Sequence, residues 1–497
     1  MKVFNPLINM DMPDIDVIKA NGFYYMVSTT MFFTPGAPIL RSKDLKNWEL
    51  VSYIFDKIED NDIYQLKNGK NAYGACQWAT SLAYRNGLFY ATFVCNDMRK
   101  TYIYYTDDIE KSFWQRVELE GIYHDMSFLF WEDRAYLVYG NGDIHITELQ
   151  DDLKGIKEGG LNKLLFSTPK DGIMLRCEGC RAYVKDGYMY FCFIEWPKEG
   201  EGNSRRREVC YRGKSLDGPF ERKVIFDDDM GYRNCGIAQG VLIDAGDKWY
   251  SMLFQDHGAV GRIPYLLPMD WQEDWPVIGI DGKAPVEFEI DMTEVKTAPI
   301  VISDSFNHSE NKLPLQFQWN HNPIDDAWSF TERPGYLRLK NALVCDGLLT
   351  ARNTLTEKTI TPKSVYTVEG DFSKLIDGDC AGLAAFMGEY GQIGITKENG
   401  QLYLFKAFKN GIEERIPVSD IAGFNAESLT LRIVFDFENE DKAYFYYSVD
   451  GESFVEVGEP LQMHYTLDLF VGYRIGIFSY ATKNIGGMAD FRNLSVS

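Results

Sequence analysis

The 497-residue sequence predicts an all-β protein, a five-bladed β-propeller followed by a β-sandwich. Two observations support this fold class. An apolar strand, a turn and a second, aromatic-rich strand recur five times in the first 280 residues. Short alternating strands separated by Gly, Asn and Asp turns fill the remainder, and helix-period stretches are scarce throughout. Aromatic residues make up 14% of the chain, which favours strands because these side chains suit a pleated, half-buried surface.

The repeated unit is a hairpin followed by more polar strands. The five hairpins span residues 13–28, 78–93, 124–139, 177–193 and 238–254. Four of their turns contain glycine, as tight hairpins prefer: Gly22, Gly87, Gly187 and Gly246. Intervals of roughly 45 to 65 residues leave room for about four strands per repeat, which predicts a propeller. A long sandwich is the structural alternative, because strand spacing alone does not separate the two.

The end of the repeat predicts the domain boundary. The repeat stops near Gly279, and a connector over 280–299 leads to a second strand-rich region. We therefore predict a propeller over residues 1–299 and a sandwich, a concanavalin-like jelly roll, over 300–497.

Charge and cysteine usage narrow the classes of partner and compartment. A formal charge of −22 argues against nucleic acid, membranes and anionic substrates, and leaves neutral oligosaccharides open. No apolar run reaches membrane-spanning length. The N-terminal residues lack a signal-peptide pattern, so a cytoplasmic location is expected unless a leader was removed. Nine scattered cysteines predict reduced thiols, and the Cys177–Cys180 pair has no second pair to complete a zinc site.

The repeat also aligns chemistry-bearing side chains. Counting eleven or twelve residues upstream from the last tyrosine of each aromatic strand reaches Asp14, Trp78, Asp125, Glu178 and Gln239. First strands of propeller blades line the central channel, so these side chains are expected to meet at one mouth. Glycoside hydrolysis needs a carboxylic acid and a carboxylate, and an indole offers a flat surface for a sugar ring. Binding of Ca²⁺ by the three carboxylates is the alternative.

Longer motifs resemble glycoside hydrolase family 43, propeller enzymes that act on xylan and arabinan side chains. These motifs are NPLINMDMPDIDVI, QWATSLAYRNGLFY, YHDMSFLFWEDRAYLVYG, CEGCRAYVKDGYMYF and FQDHGAVGRIPYLLPMDWQEDWPVIG. The C-terminal region, with FQWNHNP and WSFTERPGYLRL, resembles the sandwich domain found behind some family members.

The resemblance implies an inverting hydrolase with three acids in separate roles. Asp14 would be the general base, Glu178 the general acid, and Asp125 would orient Glu178 and hold its proton affinity up. Trp78 would form a stacking wall, and Arg262 would donate to sugar hydroxyls.

Further positions follow from the resemblance with alternatives left open. Gln239 and His257 are expected near the site, His257 alternatively as a satisfied surface-loop residue. Phe32 either bounds the terminal sugar or belongs to the core. The sequence departs from the family pattern at four positions beside the key residues: Ile15, Thr80, Met126 and Cys180.

No cofactor is predicted to be required, and no metal ligand is assigned. Many family members carry a channel histidine just before the position of Gln239, which ligates or replaces a cation. Here that stretch is Gly236, Ile237 and Ala238, which offers no ligand side chain, so a Ca²⁺ ion in the channel is not expected.

Three functional hypotheses follow. The first is an exo-acting hydrolase that releases terminal xylose or arabinofuranose from xylan- or arabinan-derived oligosaccharides. The second is a non-catalytic carbohydrate-binding protein, which has no need of three aligned acids. The third is a retaining fructan- or sucrose-type propeller hydrolase, whose Asn-Asp-Pro and Arg-Asp-Pro motifs are absent. The preferred sugar and the oligomeric state, including a homo-oligomer, stay open.

Overall fold

The computed structural model describes residues 1–111, 113–200, 203–424 and 428–497. It confirms the predicted all-β architecture of a five-bladed propeller and a sandwich. Each blade is a four-stranded antiparallel sheet made of strands that follow one another along the chain. The first strand of each blade contacts the first strand of the next, and the fifth blade contacts the first. The ring is therefore closed around a central channel.

The blades are numbered in chain order. Blade 1 comprises Asp16–Ala20, Phe23–Val27, Gly36–Ser42 and Glu49–Phe55. Blade 2 comprises Ser81–Arg85, Leu88–Cys95, Lys100–Thr106 and Gln115–Glu120. Blade 3 comprises Ser127–Trp131, Arg134–Tyr139, Asp143–Glu148 and Asn162–Ser167. Blade 4 comprises Ile173–Lys185, Tyr188–Pro197, Arg207–Gly213 and Glu221–Phe226. Blade 5 comprises Ala238–Asp244, Trp249–Asp256, Arg262–Gln272 and Trp275–Ile278.

Short polar side chains join neighbouring blades along the channel. The backbone N–H of Leu82 donates to Asp16 Oδ2 at 2.8 Å, from blade 2 to blade 1. In the same way, the N–H of Ala182 in blade 4 donates to Ser127 Oγ in blade 3 at 3.0 Å. These bonds satisfy first-strand N–H groups that have no partner strand on the channel side. They fix the angular position of one blade against the next.

Arg181 lies buried on the channel wall and connects three blades. Its Nη1 donates to the carbonyl of Cys180 at 2.8 Å. Its Nη2 donates to the carbonyls of Thr80 at 3.0 Å and Asp14 at 3.2 Å, in blade 2 and in the segment that enters blade 1. The Asp16 carboxylate lies 3.6 Å from its Nε. Arg181 also lines a cavity of about 370 Å³, which opens at the end of the channel away from Asp14.

Two sheets form the sandwich. In spatial order, the first consists of Gly411–Pro417, Gln401–Phe408, Gly391–Glu398, Asp379–Phe386, Arg474–Ala481, Leu355–Lys358, Gln318–Asn320 and Phe33–Thr34. The second consists of Trp328–Ser329, Leu337–Lys340, Met488–Val496, Lys363–Asp371, Leu429–Asp436, Lys442–Ser448 and Val455–Glu456, with Leu461–Gln462 also paired to Lys442–Ser448. In the part of the chain that the structure describes, four short 3₁₀ helices occur, at Gly258–Val260, Asp325–Ala327, Leu348–Thr350 and Val418–Asp420.

One strand of the sandwich comes from the propeller. Phe33–Thr34, in the loop between the second and third strands of blade 1, pairs with Gln318–Asn320. The guanidinium of Arg474 covers the Phe33 ring at 3.6 Å from its centroid. The predicted ranges treated the two domains as consecutive, whereas this strand makes them interlock. A two-residue pairing partner carries no pattern by which a sequence could reveal it.

The termini and thiols complete the fold. Lys2–Phe4 pairs with Glu287–Glu289 in the connector, which ties the N-terminus to the end of the propeller. All nine cysteines are free thiols. Within the described ranges, no helix is long and apolar enough to cross a membrane.

The packing of Arg181 generates a stability prediction. Replacing Arg181 with Met leaves buried carbonyls and the Asp16 carboxylate without their cation, so we expect a loss of about 3–5 kcal/mol in the free energy of unfolding. Urea denaturation monitored by tryptophan fluorescence measures it. The control is Arg134→Met, at a side chain that is 59% exposed, which should change the same quantity by no more than about 0.5 kcal/mol. Equal effects of the two variants would contradict the role given to Arg181.

Candidate active site

Three of the predicted residues share an unusual backbone conformation at the channel mouth. Asp14, Asp125 and Gln239 have positive φ angles of 53°, 47° and 64°. Such left-handed residues other than glycine are uncommon, and they concentrate at functional sites. Each precedes the channel-lining part of its blade's first strand, so the repeat brings the three together at one end of the channel.

The corresponding residue of blade 4 is Gly179, not Glu178. Gly179 has φ 69°, and a Cβ there would lie 2.6 Å from the Gln239 side chain. Glu178 therefore stands one position ahead of Asp14 and Asp125, in a stretch where the strand register shifts. Trp78 is displaced from the common position by one residue in the same way. The extra residue in the sequence count of eleven or twelve reflects this irregularity.

Asp14 is buried between two donors. Arg262 Nη1 donates to Asp14 Oδ1 at 2.9 Å, and Gln239 Nε2 donates to the same oxygen at 3.1 Å. Burial raises the pKa of Asp14 above its usual range, and the Arg262 charge opposes this rise. A raised pKa makes this carboxylate a stronger proton acceptor than an ordinary aspartate.

Asp125 is equally buried and bonds to the backbone beside Glu178. The N–H of Gly179 donates to Asp125 Oδ2 at 3.1 Å. His124 Nε2 is 3.6 Å from the same oxygen. Burial raises the pKa of Asp125, while the neighbouring His124 opposes the rise. Through Gly179, Asp125 fixes the peptide that carries Glu178.

Glu178, in the first strand of blade 4, is partly exposed. His124 Nε2 lies 3.2 Å from Glu178 Oε2, and Asn141 Nδ2 donates to that oxygen. The charge of Asp125 and the bond to Glu178 raise the pKa of His124 to about 9, so the imidazole is cationic at neutral pH. The site thus contains two carboxyl groups with different partners, Asp14 beside arginine and Glu178 beside histidine.

Aromatic rings wall the site, and one of them comes from the sandwich. Phe470 lies 5.8 Å from Trp78 between ring centroids. Its ring also lies under the Arg262 guanidinium at 4.6 Å, and its carbonyl accepts from Arg262 at 3.4 Å. On the other side Trp78 lies 5.9 Å from His124. The wall therefore continues from the propeller onto the sandwich loop.

Asp11 holds that loop against the arginine. Its Oδ1 accepts from the backbone N–H of Arg262 at 2.8 Å, and its Oδ2 accepts from the N–H of Gly472 at 3.0 Å. Its carbonyl accepts from Lys358 Nζ in the sandwich at 2.6 Å. One propeller side chain thus positions both Arg262 and the segment that carries Phe470.

Two predicted residues lie outside this constellation. Phe32 is fully buried and stacks on His321 at 5.0 Å, so in this arrangement a sugar cannot touch it; the core alternative fits its position. His257 stacks on Tyr232 at 4.1 Å and hydrogen-bonds to Gln255. Burial lowers its pKa to about 4, which leaves it neutral and satisfied.

Sequence reasoning missed four residues of the site. His124 was visible beside Asp125 in the His-Asp motif but was not assigned a role. Asn141, Phe470 and Asp11 carry no local signal, because each reaches the site through contacts between distant segments.

A metal does not suit the residues present. His124 Nε2 and carboxylate oxygens of Asp125 and Glu178 lie within 4.8 Å of one another. A hard cation such as Ca²⁺ prefers oxygen ligands, and an imidazole with a pKa of about 9 is protonated at neutral pH. Further along the channel the Arg181 guanidinium already bonds to the inward-facing carbonyls.

Comparison with known proteins shows the family to which this chain belongs. The model of glycosyl hydrolases family 43 matches residues 3–276, and the model of the beta-xylosidase C-terminal concanavalin A-like domain matches residues 303–497. The chain belongs to glycoside hydrolase family 43. It is a glycoside hydrolase that acts on carbohydrate.

Individual relatives span the whole chain. It is 28% identical to a beta-xylosidase of Formosa agariphila, over 98% of this chain and 88% of the relative. It is 25% identical to a xylosidase/arabinosidase of Butyrivibrio fibrisolvens, over 97% and 96%. The solved structure of a bifunctional GH43-CE protein of Bacteroides eggerthii superposes with a TM-score of 0.92 at 39% identity, over 100% of this chain and 63% of that one.

The cationic His124 generates a prediction about pH and stability. Its pKa rises from 6.5 to about 9 on folding, so its contribution is complete below pH 6.5 and is lost as the pH rises through 9. We expect wild type to lose about 2–3 kcal/mol of unfolding free energy over this window relative to His124→Asn. Urea denaturation at several pH values measures the difference.

The control for this experiment is His464→Asn, at an exposed histidine of the sandwich. It should keep the pH dependence of wild type. A His124→Asn variant whose stability falls in parallel with wild type from pH 6.5 to 9 would contradict the charged pairing.

Proposed function

We propose that this protein is an inverting, exo-acting hydrolase that releases terminal xylose or arabinofuranose from short xylan- or arabinan-derived oligosaccharides. The observation that carries the proposal is the placement of two carboxyl groups in unlike environments at one channel mouth. Asp14 is bonded to Arg262, and Glu178 is bonded to His124 and Asn141. Inverting glycosidases need such a pair, one accepting and one donating a proton.

Asp14 acts as the general base. Its Oδ1 is occupied by Arg262 and Gln239, which leaves Oδ2 to accept a proton from a water molecule. As the water oxygen bonds to the anomeric carbon, its proton passes to Asp14. The two donors fix the carboxylate without supplying a proton of their own, since an arginine does not deprotonate in proteins.

Glu178 acts as the general acid on the opposite face. It donates its proton to the glycosidic oxygen as the bond from that oxygen to the anomeric carbon breaks, so the leaving sugar departs as a neutral alcohol. His124 Nε2 lies 3.2 Å from Glu178 Oε2, and Asp125 accepts from the N–H of the Glu178–Gly179 peptide, so these two neighbours fix the position of the acid. Configuration at the anomeric carbon inverts because water enters on the face opposite the leaving group.

The sandwich loop supports exo action. Phe470 stands against Trp78 and Arg262, which closes one side of the site above the channel. We expect a wall at this place to admit a chain end and to obstruct a continuous chain. The same wall offers apolar surface on which a pyranose or furanose ring can stack.

The choice of sugar rests on the relatives. One is named a beta-xylosidase, and another a xylosidase/arabinosidase. Xylose and arabinofuranose present similar hydroxyl groups, and the polar groups of this site, such as Arg262, can bond either.

Loss of either carboxyl group should abolish turnover. We expect Asp14→Asn and Glu178→Gln each to lower kcat on xylobiose by about 10²–10⁴-fold, the range of one acid or base. Glu178→Gln should lose much less on dinitrophenyl β-xyloside, whose leaving group needs no proton, whereas Asp14→Asn should lose activity on both. Steady-state kinetics on the two substrates make the comparison.

Asp270→Asn, at an exposed acid far from the ring, is the control and should match wild type on both substrates. Two outcomes would sink the mechanism: full activity in either ring variant, or equal losses on both substrates for Glu178→Gln. If wild type hydrolyses neither aryl xylosides nor aryl arabinofuranosides, the carbohydrate-binding alternative gains.

The sandwich loop can be tested separately. Phe470→Ala removes one wall of the site, so we expect kcat/KM on xylobiose to fall about 10–100-fold, mostly through KM. Leu467→Ala is the matched control, because this residue of the same loop is 73% exposed. If the two variants behave alike, Phe470 is not part of the substrate pocket.

A further inference from the structure

Glu208 is a buried carboxyl group that the mechanism above does not use. It lies in the third strand of blade 4 and is 1% exposed. Its Oε2 accepts a hydrogen bond from the backbone N–H of Gln239 in blade 5 at 2.7 Å. Burying a carboxyl group costs free energy unless it is hydrogen-bonded, so the bond that Glu208 makes to Gln239 indicates its role.

The partner of Glu208, Gln239, has a backbone N–H that does not take part in the hydrogen-bond ladder between the strands of blade 5. The pairing of the first and second strands of blade 5 shifts register between Ala238 and Gly240, so Gln239 is the bulged residue. Gln239 also has the left-handed φ of 64°. Its N–H therefore needs a partner other than the neighbouring strand, and Glu208 is that partner.

The bulge aims the Gln239 side chain at the catalytic ring. Gln239 Nε2 donates to Asp14 Oδ1 at 3.1 Å. The side chain passes directly over Gly179, where any Cβ would collide with it at 2.6 Å. A continuous chain of bonds thus runs from Glu208 through Gln239 to Asp14.

We propose that Glu208 is a positioning residue for the general base: by holding the N–H of Gln239 it fixes the amide that orients Asp14. This rests on the proposed function, since it takes Asp14 as the base. Glu208 touches neither Asp14 nor the substrate, and acts only through Gln239.

The protonation of Glu208 makes a pH-dependent effect on activity expected, which a purely structural role would not produce. Burial raises the pKa of Glu208 to about 8; the hydrogen bond from the Gln239 N–H and then the charge of Arg181, from the first strand of blade 4, oppose this rise. The thiol of Cys192, from the second strand, also faces it. Glu208 is therefore a neutral acid below pH 8, and glutamine is its close mimic.

The test compares Glu208→Gln with Glu208→Ala, using kcat and KM on aryl β-xyloside from pH 5 to 9.5. We expect Glu208→Ala to lower kcat about 10–100-fold with KM within about 3-fold, and Glu208→Gln to stay within about 3-fold of wild type. Ionisation of Glu208 should add an alkaline change in wild-type kcat near pH 8 that Glu208→Gln lacks. A purely structural role would not move this limb of the profile.

The buried Glu208 carboxyl also makes the folding stability depend on pH. Between its ordinary value of 4.5 and about 8, Glu208 keeps its proton when folded and loses it when unfolded. The folded state then binds more protons, so wild-type stability falls with rising pH over this window. The Tm of Glu208→Gln should rise relative to wild type from pH 5 to pH 8.

Three outcomes are decisive. Glu208→Ala with unchanged kcat, or identical alkaline limbs for wild type and Glu208→Gln, overturns the proposal even if Asp14→Asn is inactive. If Glu208→Ala does not fold, the alkaline limb of Glu208→Gln decides alone. An Asp14→Asn variant that keeps activity would instead overturn the proposed function, whatever Glu208 does.

Discussion

The Arg181 guanidinium lies on the propeller channel among carbonyls contributed by three blades, directly beneath the ring of acids. A buried cation is stable only where hydrogen bonds and counter-charge replace its water, and the closed ring of first strands supplies both. One of its acceptors is the carbonyl of Asp14, whose carboxylate is bonded to Arg262. The position of the proposed base is therefore inseparable from closure of the propeller.

Above this point the site separates its charges. Asp14 has an arginine and an amide as partners, whereas Glu178 has a histidine and an asparagine. Asp125 lies between these two environments, bonded to the peptide beside Glu178 and next to the His124 ring. Two carboxyl groups with different neighbours can differ in protonation state at the same pH, one protonated and one ionised. Separate acid and base roles require this difference.

The sandwich is a part of the site rather than an appendage. It receives a strand from blade 1, it contributes Phe470 to the aromatic wall, and its Gly472 is bonded to Asp11 beside Arg262. Movement of the sandwich would therefore displace Arg262 as well as the wall. The predicted boundary near residue 300 separates the two domains along the sequence. The strand pairing, the aromatic wall and the Asp11 hydrogen bond all join residues on opposite sides of that boundary.

Periodicity and repetition by themselves determined the five hairpins, the second strand-rich domain and the aligned acids Asp14 and Asp125, because each blade repeats the same local problem of burying a channel-lining strand. Local pattern could not decide that Glu178 stands one residue ahead of Gly179, since a bulge depends on the partner strand. Nor could it assign Phe32 to the core, or bring Phe470, Asn141 and Asp11 to the site. Those placements depend on contacts between segments that are distant in the sequence. Such contacts determine where a strand bulges and which side chains are buried, so only the tertiary structure decided them.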